Sequence, residues 1–286
     1  MRPGKGPEDA ALPGKETVGE WDDMPADSQA QREQQVLETA MEAGHILLEN
    51  GAEISRVEET MERITRHFGV ESGDFFVLSN GIFTTGGSAS GRFARVEHIP
   101  VHGAQMDRVV AVNQLSREVE AGKLTLEETA ARLKEIRRSP GKRFGVQVLA
   151  SAVGSAAFCV LFGGSLRDAQ AAFIAGLLLY LYVLRLSAPH LSKLVGSMGG
   201  GALVSLVCVL LRTAGMGDSL SHMIIGSIIP LVPGVAFVNG IRDIADGDYI
   251  SGAVRMLDAL LVFFGVAIGV GFVLTVSSRL GGGAWL

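Results

Sequence analysis

The sequence predicts a membrane α-helical protein with five transmembrane helices, one of them broken by proline, preceded by a small soluble α+β domain. Three observations predict it. Charge is unevenly spread: residues 1–143 carry 18 of the 25 Lys and Arg and 24 of the 30 Asp and Glu. The mean hydropathy of +0.32 therefore averages a water-soluble half with a membrane half. After Phe144, long apolar runs recur five times. One of them is interrupted by Pro230 and Pro233-Gly234, then followed by Asn239, Arg242, Asp243, Asp246 and Asp248. Proline inside a helix removes a backbone hydrogen bond and clashes with the preceding turn. In hydrocarbon such a break persists only where protein or a hydrated cavity satisfies the freed groups.

Three segments follow from this pattern: a disordered tail over 1–28, a cytoplasmic α+β domain over 29–140 and a five-helix transmembrane domain over 141–286. The tail is rich in Pro, Gly and acidic residues and lacks apolar periodicity, with Trp21 as an isolated aromatic. From about Gln29, Leu37, Ala40, Met41, Gly44, Leu47 and Leu48 recur at helical spacing. Asn50-Gly51 ends that helix. A second helix carries Ile54, Val57, Met61, Ile64 and Phe68 on one face, with Glu59–Arg63 and Glu62–Arg66 as i,i+4 pairs, and stops at Gly69. Short β-prone runs come next, at Phe75–Leu78, Ile82–Thr85 and Phe93–Ile99, separated by Asn80-Gly81 and Gly86-Gly87. Asp107–Glu120 and Leu126–Arg138 read as two further helices, the second opened by a Thr125…Glu128 capping box.

Ser139-Pro140-Gly141 breaks the pattern before the five spans: Phe144–Gly163, Ala169–Leu184, Leu194–Leu211, the broken Ser219–Ile241, and Ala259–Val276 with Asp258 at its start. Arg185 snorkels to lengthen the second span. Gly196, Gly199, Gly200 and Gly201 give the third a small-residue face for close packing. Basic residues gather at the span ends grouped with the N-terminal domain. This predicts a cytoplasmic N-terminal domain and an external C-terminus. No apolar run precedes Phe144, which argues against a cleavable signal peptide.

A pI near 5.7 without a basic block argues against nucleic acid as a partner. Cys159 and Cys208 lie in apolar runs and read as small buried hydrophobes. No His-Glu-x-x-His, Gly-x-Ser-x-Gly or P-loop signature occurs, so no catalytic residue, metal or cofactor is assigned and the chain is not read as an enzyme. His190 and His222 fall at membrane edges as interfacial residues. Asp246-Gly247-Asp248 reads as a turn.

The residues expected to line a substrate or ion pathway are Pro230, Pro233, Gly234, Asn239, Arg242, Asp243 and Asp258. A broken span beside ionisable residues is the mark of a transport site. Arg242 would attract a carboxylate, Asn239 and the freed backbone would line the site, and Asp258 or Asp243 would carry a proton. Asp258 can instead pair at the interface with Arg255, one turn away. In the soluble domain the candidates are His45, Glu49, Glu53, Arg56 and Glu58. The stripe Glu38, Glu42, His45 and Glu49 reads as the solvated face of an amphipathic helix rather than a metal or acid–base set.

Two separated motifs carry a resemblance. Leu47-Leu48-Glu49-Asn50-Gly51-Ala52-Glu53, with Arg56, Val57, Glu58 and Met61, resembles the opening signature of the threonine/serine exporter family. Pro233-Gly234, Asn239, Arg242-Asp243, Gly247-Asp248 and Gly252…Arg255…Asp258-Ala259 resemble its membrane signature. The similarity covers about residues 30–280. It implies a secondary exporter of threonine, serine or a similar small carboxylate, driven by the proton motive force, with a cytoplasmic N-terminal domain. Full-length members carry ten spans in two parts, and this chain resembles the split type, in which a second five-span membrane subunit supplies the rest. Split relatives are also linked to export of dicarboxylates such as succinate. The partners implied are thus a small amino or organic acid as substrate, membrane lipid, and a second membrane subunit or further copies of this chain. A membrane-anchored sensor, or an enzyme with its activity in the soluble domain, is the alternative.

Overall fold

The computed structural model describes residues 26–70, 74–88, 91–100, 105–187 and 191–280. Most of the expected tail, with Trp21, and His190 lie outside the described residues. The chain divides into two compact units, and the division is not sequential. Residues up to Pro140 together with Asn239–Val254 form an N-terminal unit; Gly141–Val238 and Arg255 onward form a helical unit.

In the N-terminal unit, α1 spans Ala26–Glu49 and α2 spans Ile54–His67. The first turn of α1 takes in Ala26, Asp27 and Ser28, which were expected in the tail. Ala26 is a strong helix former and no breaker separates it from Gln29. Gly51 supplies the left-handed residue that ends α1, at φ 78°, and Ala52 N–H returns to the Leu47 carbonyl at 3.0 Å. Strands β1 (Asp74–Leu78), β2 (Gly81–Ser88) and β3 (Gly91–His98) form an antiparallel meander. Its register sets Val77 opposite Ile82 and Ile82 opposite Glu97.

Helices α3 (Met106–Glu120) and α4 (Leu126–Arg138) complete this layer, and the Thr125–Glu128 capping box is formed at both of its bonds. Met41, Ile46, Leu47, Leu48, Ile54, Met61, Ile64, Ile82, Ile99, Leu115 and Leu133 fill one core. Gly44 admits Met61 and Ile82 over α1, since a Cβ there would come 3.0 Å from Ile82 Cδ1.

The helical unit contains α5 (Phe144–Leu161), α6 (Leu166–Tyr182) with a π-helical turn over Val183–Ser187, α7 (Lys193–Thr213) and α8 (Leu220–Ile228). A 3₁₀ turn, Ile229–Leu231, precedes α9 (Gly234–Ala245), and α10 runs over Tyr249–Leu280. Both α9 and α10 cross the unit boundary. Among the described residues, four segments are long and apolar enough to cross a membrane: α5, Leu166–Leu186, α7 and α10. A fifth is added if the bent pair Leu220–Leu231 and Gly234–Ala245 is one span. The bend is 63° and falls where Pro230 and Pro233 predict it.

Candidate functional site

Proline at 230 and 233 interrupts the hydrogen-bond ladder, and the chain answers locally. Val232 N–H donates to the Ile229 carbonyl at 3.0 Å and Gly234 N–H to the Val232 carbonyl at 2.8 Å. Helix α9 then restarts, with Phe237 N–H bonded to the Pro233 carbonyl at 3.0 Å.

The part of α9 belonging to the N-terminal unit presents Asn239, Arg242, Asp243 and Asp246 at i, i+3, i+4 and i+7, which is one helical face. Asn239 and Arg242 meet the connector between α1 and α2, and Asp243 and Asp246 meet the first turn of α2. Asn239 Nδ2 donates to the Gly51 carbonyl at 2.8 Å. The Arg242 guanidinium pairs with the Glu53 carboxylate. Ile54 N–H donates to Asp243 Oδ1 at 3.3 Å, and Ser55 Oγ donates to Asp246 Oδ2 at 3.4 Å.

Each contact has a local cause. Ile54 is the first residue of α2, whose orphan N–H groups attract a negative group. Glu53 occupies the N-cap but its own side chain makes no capping bond. Asp243, 2% exposed, supplies the carboxylate in its place. The Glu53 side chain is held between Arg242 and, at 4.0 Å, Arg56. Arg242 is half exposed, so its ion pair contributes only about 0–1 kcal/mol. It specifies geometry more than it stabilises, and a carboxylate from outside could exchange with Glu53 at little cost.

Glu58, one turn along α2, accepts the Val77 N–H at 3.1 Å. Burial pushes its carboxyl above the ordinary glutamate range. The Val77 bond offsets part of this, while Asp248 and Glu62 push the same way as burial.

The charged stripe of α1 is only partly the solvated face expected from sequence: Glu38 is exposed, Glu42 and Glu49 are half-buried and His45 is buried. His45 is 8% exposed, its Nδ1 lying 2.7 Å from Glu97 Oε1. Arg137 Nη2 lies 3.3 Å from His45 Nε2. A guanidinium can only donate, so this pair places the imidazole proton on Nδ1. Glu42 accepts both its bonds from Arg137 Nη1 at 2.9 Å, and this pairing holds the guanidinium charged. Glu49 approaches His45 Nε2 at 4.0 Å. Strand β3 and helix α4 cover His45, bringing Glu97 and Arg137 to its two ring nitrogens.

In the helical unit, Asp258 pairs with Lys193 Nζ at 2.6 Å; Arg255 had been the partner considered from sequence. Asp168 was missed. At 1% exposure it accepts Asp218 N–H at 2.6 Å, Ser219 N–H at 2.8 Å and Ser165 N–H at 2.9 Å. It joins the α5–α6 loop to the α7–α8 loop, and the Ser165-x-x-Asp168 spacing is the capping-box signal that could have found it. Among the described residues no group of three or more His, Cys, Asp or Glu could hold a metal ion.

Residues 38–277 match the threonine/serine exporter family, ThrE. The chain belongs to that family. It is 24% identical over 253 residues to the "Threonine/serine exporter" of Corynebacterium glutamicum, covering 86% of this chain and 52% of that protein. The chain thus spans about half the length of that relative. It is also 24% identical over 250 residues to the "Probable succinate transporter subunit YjjP" of Escherichia coli (strain K12), covering 87% of this chain and 97% of the relative. The protein of that name from Klebsiella aerogenes is 25% identical over 257 residues, covering 88% and 97%. No solved structure matches the chain. Family membership and the four to five apolar segments among the described residues fit a multi-pass membrane protein of an exporter family.

Proposed function

We propose that the chain is one subunit of a secondary exporter of small carboxylates, threonine and serine or a dicarboxylate such as succinate, driven by the proton motive force and paired with a second five-span membrane subunit in the bacterial inner membrane. The N-terminal unit faces the cytoplasm and the C-terminus the outside. The observation that carries this reading is the polar face of α9, which follows a proline-broken apolar segment and rests on the α1–α2 connector. Every donor there that suits a carboxylate is engaged by an internal acceptor: Arg242 by Glu53, Asn239 by the Gly51 carbonyl and the N-terminus of α2 by Asp243. A solute carboxylate exchanges with Glu53 at Arg242, and protonation of Asp243 releases α9 from α2. Pro230, Pro233 and Gly234 allow that movement without breaking a continuous hydrogen-bond ladder. Asp258, held by Lys193, is the second proton-carrying candidate. The printed name of the YjjP relatives, a transporter subunit, supports a partner.

Efflux of labelled threonine and succinate from cells expressing this chain, with and without a five-span partner, tests the reading. Efflux should require both chains. Arg242→Ala should reduce it at least tenfold in protein that inserts normally, and Asp243→Asn should abolish its dependence on the pH gradient. Unchanged efflux in both variants would remove these residues from the pathway.

A further inference from the structure

A second binding region lies within the N-terminal unit. One face of α1 and one face of α4 enclose a cavity of about 600 Å³, closed on one side by β3 through Arg95. That volume is in the range of small-ligand pockets. Its floor is apolar, with the half-buried Ala130 over the buried Leu126 and Leu133, and its walls carry both cations and the carboxylates of Glu38, Glu42 and Glu127. The cations are unequally matched. Arg137 is fully engaged by Glu42 and His45. Arg95 reaches Glu38 and Glu97 only at 3.9 Å, beyond hydrogen-bond distance. Lys134 and Arg138 line the same cavity at i,i+4 on α4, and among the described residues no carboxylate lies within ion-pair distance of either. Like charges at that spacing repel, and the dipole of the last α4 turn offsets only part of the repulsion. An incoming carboxylate would offset the rest.

From this placement we infer that the cavity is a cytoplasmic recognition site for a small dicarboxylate, separate from the α9 face. One carboxylate lies between Lys134 and Arg138, the second reaches Arg95, and the carbon chain crosses Ala130. The inference rests on the reading of the chain as an exporter of small carboxylates and adds a place where the unit senses its solute. The Arg137–Glu42–His45–Glu97 chain behind the cavity connects an occupant to the centre of α1.

Calorimetric titration of the full-length chain in lipid nanodiscs with succinate and with L-threonine tests this. In the Arg242→Ala chain, which lacks the α9 site, succinate should still bind saturably and more tightly than L-threonine, and adding Lys134→Glu with Arg138→Glu should weaken that binding at least tenfold. Both side chains are exposed, so these exchanges spare the core. Succinate binding that survives the charge reversal, or is absent from the native chain, makes the cluster a set of helix-end cations only and overturns the inference. Continued efflux in either case leaves the exporter reading standing. Tighter binding of L-threonine overturns the dicarboxylate assignment, and loss of binding in Arg242→Ala overturns the separate site.

Discussion

Of the fully buried Leu, Ile and Met side chains among the described residues, eleven, from Met41 to Leu133, belong to the N-terminal unit and two, Leu179 and Met223, to the helical unit. Most other buried positions there go to Ala152, Ala171, Ala172, Ala175, Cys159, Cys208, Ser155, Ser205 and similar small residues. The large apolar residues of the helical unit point outward: Phe272 is 67% exposed and Phe264 62%. In water, burial of large apolar surface drives folding, so big side chains go inside. Against lipid that drive disappears between helices, and close backbone approach through small residues replaces it. The contrast reports two solvents acting on one chain.

The strongest way to break this comparison is to truncate a large side chain in each unit. Leu47→Ala in the N-terminal core should cost about 3 kcal/mol through lost burial and the cavity left behind. Phe272→Ala should cost under about 1 kcal/mol in lipid, because acyl chains cover the vacated surface. Thermal melting of both variants in nanodiscs measures the difference, and equal losses would refute a two-solvent account. Enlarging a small residue sharpens it from the other side. A Cβ at Gly201 would lie 2.6 Å from the Val266 backbone carbonyl, which no rotamer change can relieve. Gly201→Ala should therefore destabilise the helical unit by about 2 kcal/mol, whereas Gly145→Ala, with open space around it, should not.

The smallest expected effect concerns Glu58, whose carboxyl is raised chiefly by burial in the N-terminal unit. Its folded-state pKa exceeds its unfolded-state value, so the folded chain binds the proton more tightly. Stability from this group rises as pH falls through the raised value and gains nothing further below about 4.3, the ordinary glutamate pKa. Glu58→Gln should flatten that part of the melting-temperature profile, and an unaltered profile would rule Glu58 out as its source.

Local chemistry made most elements readable in the sequence. The bounds of α4, the Thr125 capping box, the left-handed Gly51 and the break at Pro230 and Pro233 all follow from residues within a turn of each other. The candidate site was readable only in part. That Asn239, Arg242 and Asp243 share a face follows from helical spacing. That the face meets residues 51–54, across 188 or 189 positions, has no local signal. His45 misled for the same reason: its burial depends on Glu97 and Arg137, which lie 52 and 92 residues away. Long-range pairing also determined that Asp258 meets Lys193 rather than its helical neighbour Arg255.

The discontinuity of the N-terminal unit has a consequence for biosynthesis. Residues 51–54 leave the ribosome long before the segment that docks on them, and at about 5–20 residues per second the 189-residue gap amounts to roughly 10–40 s. For that interval the start of α2 has no Asp243 and the nascent first unit waits with one side unfinished. It closes only after the apolar helices between have been synthesised, so the unit whose synthesis begins first has all its residues in hand only once Val254 is made.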